Sequence, residues 1–446
     1  MIESTPPPGL RVRVRMTGRS IDEPHRVSSQ LELLVDLTFV VAVSFATSRL
    51  AHSLAAGPSV AGIVAFLEVF FAIWWAWMNF TWFASAYDTD DVAYRLLTLV
   101  QMAGVLVLAA GVAPAANDSD YRAITIGYLV MRTGLVAQWL RAGAEDRAGR
   151  ATARRYATGI AAAQLGWLGF LLLADGASPI ERLPGFAVLV GVELAVPRWA
   201  ERTRPTNWHP HHIAERYGLF TIILLGEIVL AATTAVQRAV ATSRASVALA
   251  TVAGSALVLV FTLWWLYFLD PAARGLVERR RRSYRWGYGH YVVFSALAAL
   301  GAGLDVAVEQ TAGAIAASPT VVGYAVAVPV ASFLVGLSGV RATITPTRPA
   351  RRFAVVGAAG VVLVLPIAAP WTSAPASIAA IAIVGVVLTG ISTIAQGPGR
   401  PGHSEAGDPV VAGIPSTERF RHEDHRHRRH RADRLPGRGE AHRDRP

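Results

Sequence analysis

Acidic and basic side chains stand where an apolar run should exclude them: Asp36, Glu68, Arg132, Glu193 and Glu227. A charge in the middle of a membrane helix costs at least ~2.5–3.5 kcal/mol, so such a group persists where it binds, carries or pairs with something. Each carboxylate could take up a proton or hold a cation. Glu32 and Asp36 are four residues apart and share one helical face, and Thr47 extends that stripe three turns further. The stripe reads as a polar track admitting a proton or cation. For Glu32 there is a simpler reading, the S-x-x-E capping box with Ser29. Glu227 follows Gly226 midway along its run, where a small neighbour would permit close helix approach and leave room for water or an ion. It is the leading candidate for a proton- or cation-linked site, against a neutral Glu bonded to a neighbouring helix. Arg132 requires a carboxylate partner, and Glu68, Glu193 and Glu227 all lie at a fitting depth. Such a pair would either lie on a conduction path or lock helices together. Arg49 and His52 in the first run, with Asp305 and Glu309 in the ninth, complete the set of membrane-depth charges.

A second cluster, NWHPHHIAER (207–216), concentrates His209, His211, His212, Glu215 and Arg216 at the mouth of a later run. Glu215 is four residues from His211 and three from His212, so it could share a metal with either. A metal would need a further ligand from elsewhere, and no H-E-x-x-H pattern is present. Interfacial histidines and a Glu favoured by the helix N-terminus explain the cluster more simply. No cofactor and no resident metal are implied. The chain has no cysteine, which removes disulfides, thiolate metal sites and Cys nucleophiles.

The elements that must position these groups follow from composition. Of 446 residues, 53% are hydrophobic and only 16% charged, and the mean hydropathy is +0.39. A soluble domain carries about 25% charge. Apolar runs near the roughly 20 residues a helix needs to cross a bilayer predict helices near 31–54, 60–83, 94–116, 121–140, 156–174, 184–200, 213–236, 246–269, 290–312, 321–339, 353–369 and 375–395. The fold class is therefore an all-α integral membrane protein with about twelve transmembrane helices. Barrel strands would alternate over about ten residues; these runs are continuously apolar.

Arginines collect on alternate connections, including Arg141, Arg147 and Arg150, then Arg198, Arg202 and Arg204, then Arg279 to Arg282, then Arg348, Arg351 and Arg352. Arg11, Arg13, Arg15, Arg19 and Arg26 add to the same side. Cationic loops stay on the cytoplasmic face, so both termini are expected in the cytoplasm of a multi-pass protein of the bacterial cytoplasmic membrane. The acidic loop with Asp88, Asp90 and Asp91 carries little weight in that rule. The first 28 residues are polar and Pro/Arg-rich and do not read as a secretory signal. From Gln396 onward Gly, Pro, Arg and His dominate, a composition that cannot bury a core. This tail reads as disordered, its arginines near anionic lipid headgroups. Its His422, His425, His427 and His430 are at best weak metal ligands, and nucleic-acid binding has no support.

The two halves echo each other. LELLVDLTFVVAVSF (31–45) has a counterpart in AERYGLFTIILLGEIVLA (214–231), and FAIWWAWMNFTWF (71–83) in VFTLWWLYFLD (260–270). Pairing Glu32 with Glu215 and Trp74 with Trp264 gives offsets of 183 and 190, as a 6+6 parallel internal repeat would. The organisation expected is a basic segment 1–28, bundles 29–205 and 206–395, and a tail 396–446. The aromatics Trp74, Trp75, Trp77, Trp82, Trp264, Trp265 and Tyr267 read as packing and interfacial anchors.

These stretches resemble the bacterial low temperature requirement protein A family (LtrA). The resemblance rests on LELLVDLTFVVAVS with His52 downstream, WWAWMNFTWFAS (74–85), HIAERYGLFTIILLGE (212–227), LWWLYFLD (263–270) and YGHYVVFSALAALGAGLD (288–305). It implies a polytopic membrane protein tied to growth in the cold and supplies no reaction. It marks Glu32, Asp36, His52, Trp75, Asn79, His212, Glu215, Arg216, Gly226 and Glu227. One departure is Leu269, where the family tends to have an acidic residue after WWLYF.

Twelve spans, a repeat and several membrane-depth acids favour a secondary transporter or ion-conducting protein for an unknown small solute or ion. Two other readings stand beside it. One is a membrane enzyme acting on lipid through His209, His211, His212 and Glu215; the other is a non-catalytic component whose charges staple helices.

Overall fold

The computed structural model describes residues 12–395 apart from 22, 24–25, 58–59, 175, 242–245 and 347–348. The tail and its four histidines, together with Arg11 and Arg348, lie outside the described residues. All described elements are helical, in the order α1 Gln30–Ala56, α2 Val60–Tyr87, α3 Val92–Ala110, α4 Val112–Asp118, α5 Arg122–Glu145, α6 Arg150–Leu173 and α7 Pro179–Ala200. There follow α8 Pro210–Ala241, α9 Val247–Phe268, α10 Ala272–Glu278, α11 Ser283–Thr311, α12 Pro319–Ile344, α13 Pro349–Val364 and α14 Ala374–Ile394. Among the described residues, eleven helical stretches are long and apolar enough to cross a membrane. The 22-residue α7, packed on α6 and α2, carries the count to twelve.

Helix ends follow local chemistry. Ser29 and Glu32 form the capping box of α1, as their spacing suggested, and Ser178 and Glu181 form another at α7. Gly57, at φ 126°, ends α1 in a conformation that side chains resist. The third apolar run breaks into α3 and α4 because Pro114 has no N–H for the carbonyl of Ala110. Pro366 likewise closes α13 in a 3₁₀ turn over Leu365–Ala368.

Helices α1, α2, α8 and α11 hold most of the polar groups of interest. Although α1 belongs to the N-terminal half, it packs on α11 and α8 as well as on α2 and α3. Where α3 meets α5, a methyl added at Gly127 would come within 2.4 Å of the Leu108 backbone, so glycine there lets the two backbones touch. The α5–α6, α7–α8 and α9–α11 connections carry arginines, whereas the α1–α2, α6–α7 and α11–α12 connections carry none, giving the bundle two chemically distinct ends.

Segment 12–29 is strapped to the arginine-rich end. Val14 N–H donates to Asp91 (2.7 Å) and Met16 N–H to Glu145 (2.5 Å), while Arg141 bridges the same two acids. Buried Arg26 donates to the carbonyls of Ala84 (2.8 Å) and Ser85 (2.9 Å). Arginines that served only as a topology signal in the sequence thus hold specific partners. Burial, reinforced by the Glu32 charge, pushes the Asp88 carboxyl up to about 6 despite Arg26 and Arg19 at 3.8 Å. Asp91 also pays for burial, but bonds from Arg141 and from the Val14 and Tyr94 amides hold it down at about 2.

Candidate functional site

On α1, Glu32 and Asp36 are one turn apart; on α8, which runs in the same direction, so are His212 and Arg216. The two turns face each other rung for rung, both at a sequence offset of 180. Arg216 grips Asp36 with both terminal nitrogens, one at 2.7 Å, and Trp77 Nε1 donates to the same carboxylate at 2.9 Å. His212 Nε2 lies 3.1 Å from Glu32, which also closes the capping box. All four side chains are buried. The stripe read as a polar track is therefore a closed ladder, with Asp36 neutralised and shut from solvent.

Helices α5 and α7 build a second buried pair. Arg132 meets Glu193 at 2.9 Å, which decides among the three acids considered for it. Glu193 accepts further bonds from Trp75 (2.9 Å), Tyr128 (2.9 Å) and Trp167 (3.2 Å). Four donors around one carboxylate compensate its removal from water. On the arginine, Nε and Nη1 are buried without a partner, so the cation is the less satisfied member.

The other two acids have no such clamp. Glu68 accepts one bond from Tyr121 (3.1 Å), and its second oxygen is buried without a partner. Arg182 is near enough to act on it electrostatically, but its guanidinium is stacked 3.6 Å over the Tyr121 ring. Glu68, Tyr121 and Arg182 line a cavity of about 40 Å³, room for one or a few waters. Glu227 has the Ser44 hydroxyl of α1 as a neighbour and lies within electrostatic range of Asp305 of α11. No basic side chain among the described residues is within ion-pair distance of it. The close approach there comes from α11: a methyl at Gly301 would stand 3.0 Å from Glu227 Cβ and 3.4 Å from Thr47 Cγ2. This corrects the role expected of Gly226, which is exposed, with nothing within 4 Å of an added methyl. A glycine next in sequence to a carboxylate points about 100° away from it on a helix.

Glu215 accepts from the Ser28 amide (3.2 Å), while His212 pairs with Glu32 instead. Among the described residues no group of three or more His, Asp or Glu could hold a metal ion. Glu215 does line a cavity of about 260 Å³ with His211, Tyr267, Asp270, His290 and Arg341. Its inner wall is buried His290, which hydrogen-bonds Tyr267 (3.1 Å) and the Trp286 carbonyl (2.8 Å). Outside the spans, His209 is pushed below its ordinary range by burial, with neighbouring His211 and Arg26 adding to the effect. Of the remaining motif positions, Asn79 donates to the Trp75 carbonyl (2.7 Å) and His52 Nδ1 contacts the Ser48 carbonyl (2.7 Å). Trp75 is a ligand of Glu193 rather than plain packing, and Trp77 likewise serves Asp36.

Ser44, Gly301, Tyr128 and Trp167 were not singled out by sequence. Trp and Tyr residues at the depth of an unpaired acid are a usable signal for the aromatic donors. Nothing in the pattern marks Ser44 or Gly301.

Residues 27–389 match the family described as "Bacterial low temperature requirement A protein (LtrA)". The chain is also similar to a protein of Rhizobium meliloti (strain 1021) described as "Uncharacterized protein RA0937". The two are 28% identical over 300 residues, spanning 61% of this chain and 68% of the relative. The chain belongs to the LtrA family, and with its many apolar helices it is a multi-pass membrane protein.

Proposed function

We propose that the protein is a proton- or cation-coupled secondary transporter or ion-conducting protein, with Glu227 as the group that changes protonation state. The observation that carries this reading is a buried carboxyl midway along α8 that has a hydroxyl, a glycine and a second acid for neighbours and, among the described residues, no basic partner within ion-pair distance. A buried acid without a countercharge is cheap to keep only when neutral, so releasing its proton has to be coupled to a cation or to opening of the site. Asp36, Arg132 and Glu193 support that site as scaffold, and Glu68 stands as a second protonatable group. The arginine-rich end, with Glu32, His212, Glu215 and Arg216, is the cytoplasmic mouth, and anionic lipid gathers there.

The two six-helix halves, paired α1 with α8 and α2 with α9, are proposed as a parallel repeat whose surroundings have diverged. Trp74 and Trp75 are each 1% exposed, whereas Trp264 and Trp265 are 45% and 48% exposed.

The test is flux in proteoliposomes containing the full chain, with a pH-sensitive dye inside and an imposed pH gradient. Wild type should dissipate the gradient faster than empty vesicles, and Glu227→Gln should reduce the rate at least tenfold while staying folded. Equal rates for the two proteins would reject Glu227 as the coupling group; a wild type that matches empty vesicles for protons and for Na⁺ or K⁺ would reject transport.

A further inference from the structure

The arginine-poor end holds a cavity of about 620 Å³ between α1, α2 and α4. That volume lies within the range of small-molecule sites, roughly 300–1,000 Å³. Small residues create the space: Ala46 on α1, and Ala61, Gly62 and Ala65 on α2. Two side chains give it a sign. Arg49 and His52 are three apart on α1, hence on one face, and both line the cavity. Among the described residues, no Asp or Glu lines it.

Arg49 is a half-buried guanidinium with no acid in ion-pair range among the described residues, and its Nε is buried without a hydrogen-bond partner. The other deep arginines behave differently: Arg216 and Arg132 grip carboxylates, and Arg182 is stacked on an aromatic ring. The Ser48 carbonyl can only accept, so His52 carries a proton on Nδ1 and turns Nε2 away from the helix. A guanidinium with spare donors beside an imidazole, in a roomy acid-free pocket, matches a flat or tetrahedral oxyanion.

We propose that this vestibule binds an anionic group, a phosphate or a carboxylate, held by Arg49 with His52 beside it. Binding there does not depend on Glu227 carrying protons. The same chemistry is offered by a free solute and by a lipid headgroup, and the two are separable by experiment.

The full chain in a phosphate-free maltoside detergent would be titrated with inorganic phosphate, with succinate, and with short-chain phosphatidylglycerol, following heat release and the unfolding midpoint. Saturable binding of phosphate or succinate is the outcome expected for a soluble anion. Saturation by phosphatidylglycerol alone assigns the site to lipid headgroups. In either case Arg49→Gln should weaken binding at least tenfold, and Arg49→Lys should recover part of the loss. Ala61→Phe, which fills the vestibule and leaves both basic residues in place, should abolish binding and covers the case in which Arg49→Gln fails to fold. Lack of saturation in all three titrations, or unchanged affinity in both Arg49→Gln and Ala61→Phe, would overturn the proposal.

Discussion

Asp36 and Glu227 are both carboxylates buried where α1 and α8 face each other, yet they meet opposite surroundings. Asp36 has a two-pronged arginine and an indole N–H; Glu227 has a serine hydroxyl and a neighbouring acid. Glu193 repeats the first pattern with Arg132 and three aromatic donors. Burial by itself therefore does not separate an acid that holds the fold from one free to change charge. The partner does. A clamped acid has its countercharge built in, and it contributes by excluding alternative helix arrangements. An acid without a clamp leaves the bundle indifferent to its exact chemistry and sensitive to its proton.

The largest effect expected from this contrast is on removing one member of a clamp. Arg216→Met leaves Asp36 buried without its countercharge, which costs about 3–5 kcal/mol; the folded fraction in size-exclusion profiles should collapse. Adding Asp36→Asn to that variant should restore much of it, because the pair is removed together. Equal folded yields for single and double variants would break the distinction drawn here.

A smaller loss is expected for Glu193→Gln, which keeps some of the acceptor geometry and leaves Arg132 without its counter-ion: roughly 1–3 kcal/mol, read as a lower unfolding midpoint. Glu227→Gln should shift that midpoint by less than about 1 kcal/mol equivalent, while removing gradient-driven flux. Glycines sharpen the same comparison: Gly301→Ala should lower stability because its methyl meets Glu227 and Thr47, whereas Gly226→Ala should be silent.

The smallest effects concern the strap, through its two acids. Asp91, held at about 2, binds its proton less readily folded than unfolded, where an aspartate titrates near ~3.9. Its contribution is complete above that value and disappears as pH falls toward 2. Asp88, raised to about 6, has the opposite sign: its contribution is complete below about 4 and lost as pH rises through 6. Hydrogen exchange of residues 12–29 should therefore be faster at pH 8 than at pH 5.5 after correction for intrinsic rates. Asp88→Asn should flatten that dependence, and Asp91→Asn should speed exchange at neutral pH. A strap equally protected in all three proteins would remove these acids from its anchoring.

Much of the architecture was legible in the residue order. The twelve apolar runs coincide with the longer helices once Pro114 is allowed to break the third into α3 and α4 and Pro366 to end α13 in a 3₁₀ turn, the short α10 lying in a connection outside them, and Ser29 with Glu32 announced the first helix start. Those features are local: a run of about twenty apolar residues has to satisfy its backbone internally in lipid, and does so as a helix wherever it sits. Which charges meet is not local. Glu68, Glu193 and Glu227 were equivalent partners for Arg132 because sequence reports depth along a helix and says nothing of its rotation or its neighbour. The order in which helices pack decided that α7 supplies the partner and that α1 lies beside α8, turning a presumed track of acids into a ladder of closed pairs. Only that packing left Glu227 and Arg49 without opposite charges among the described residues, since a counter-ion is a property of two surfaces brought together.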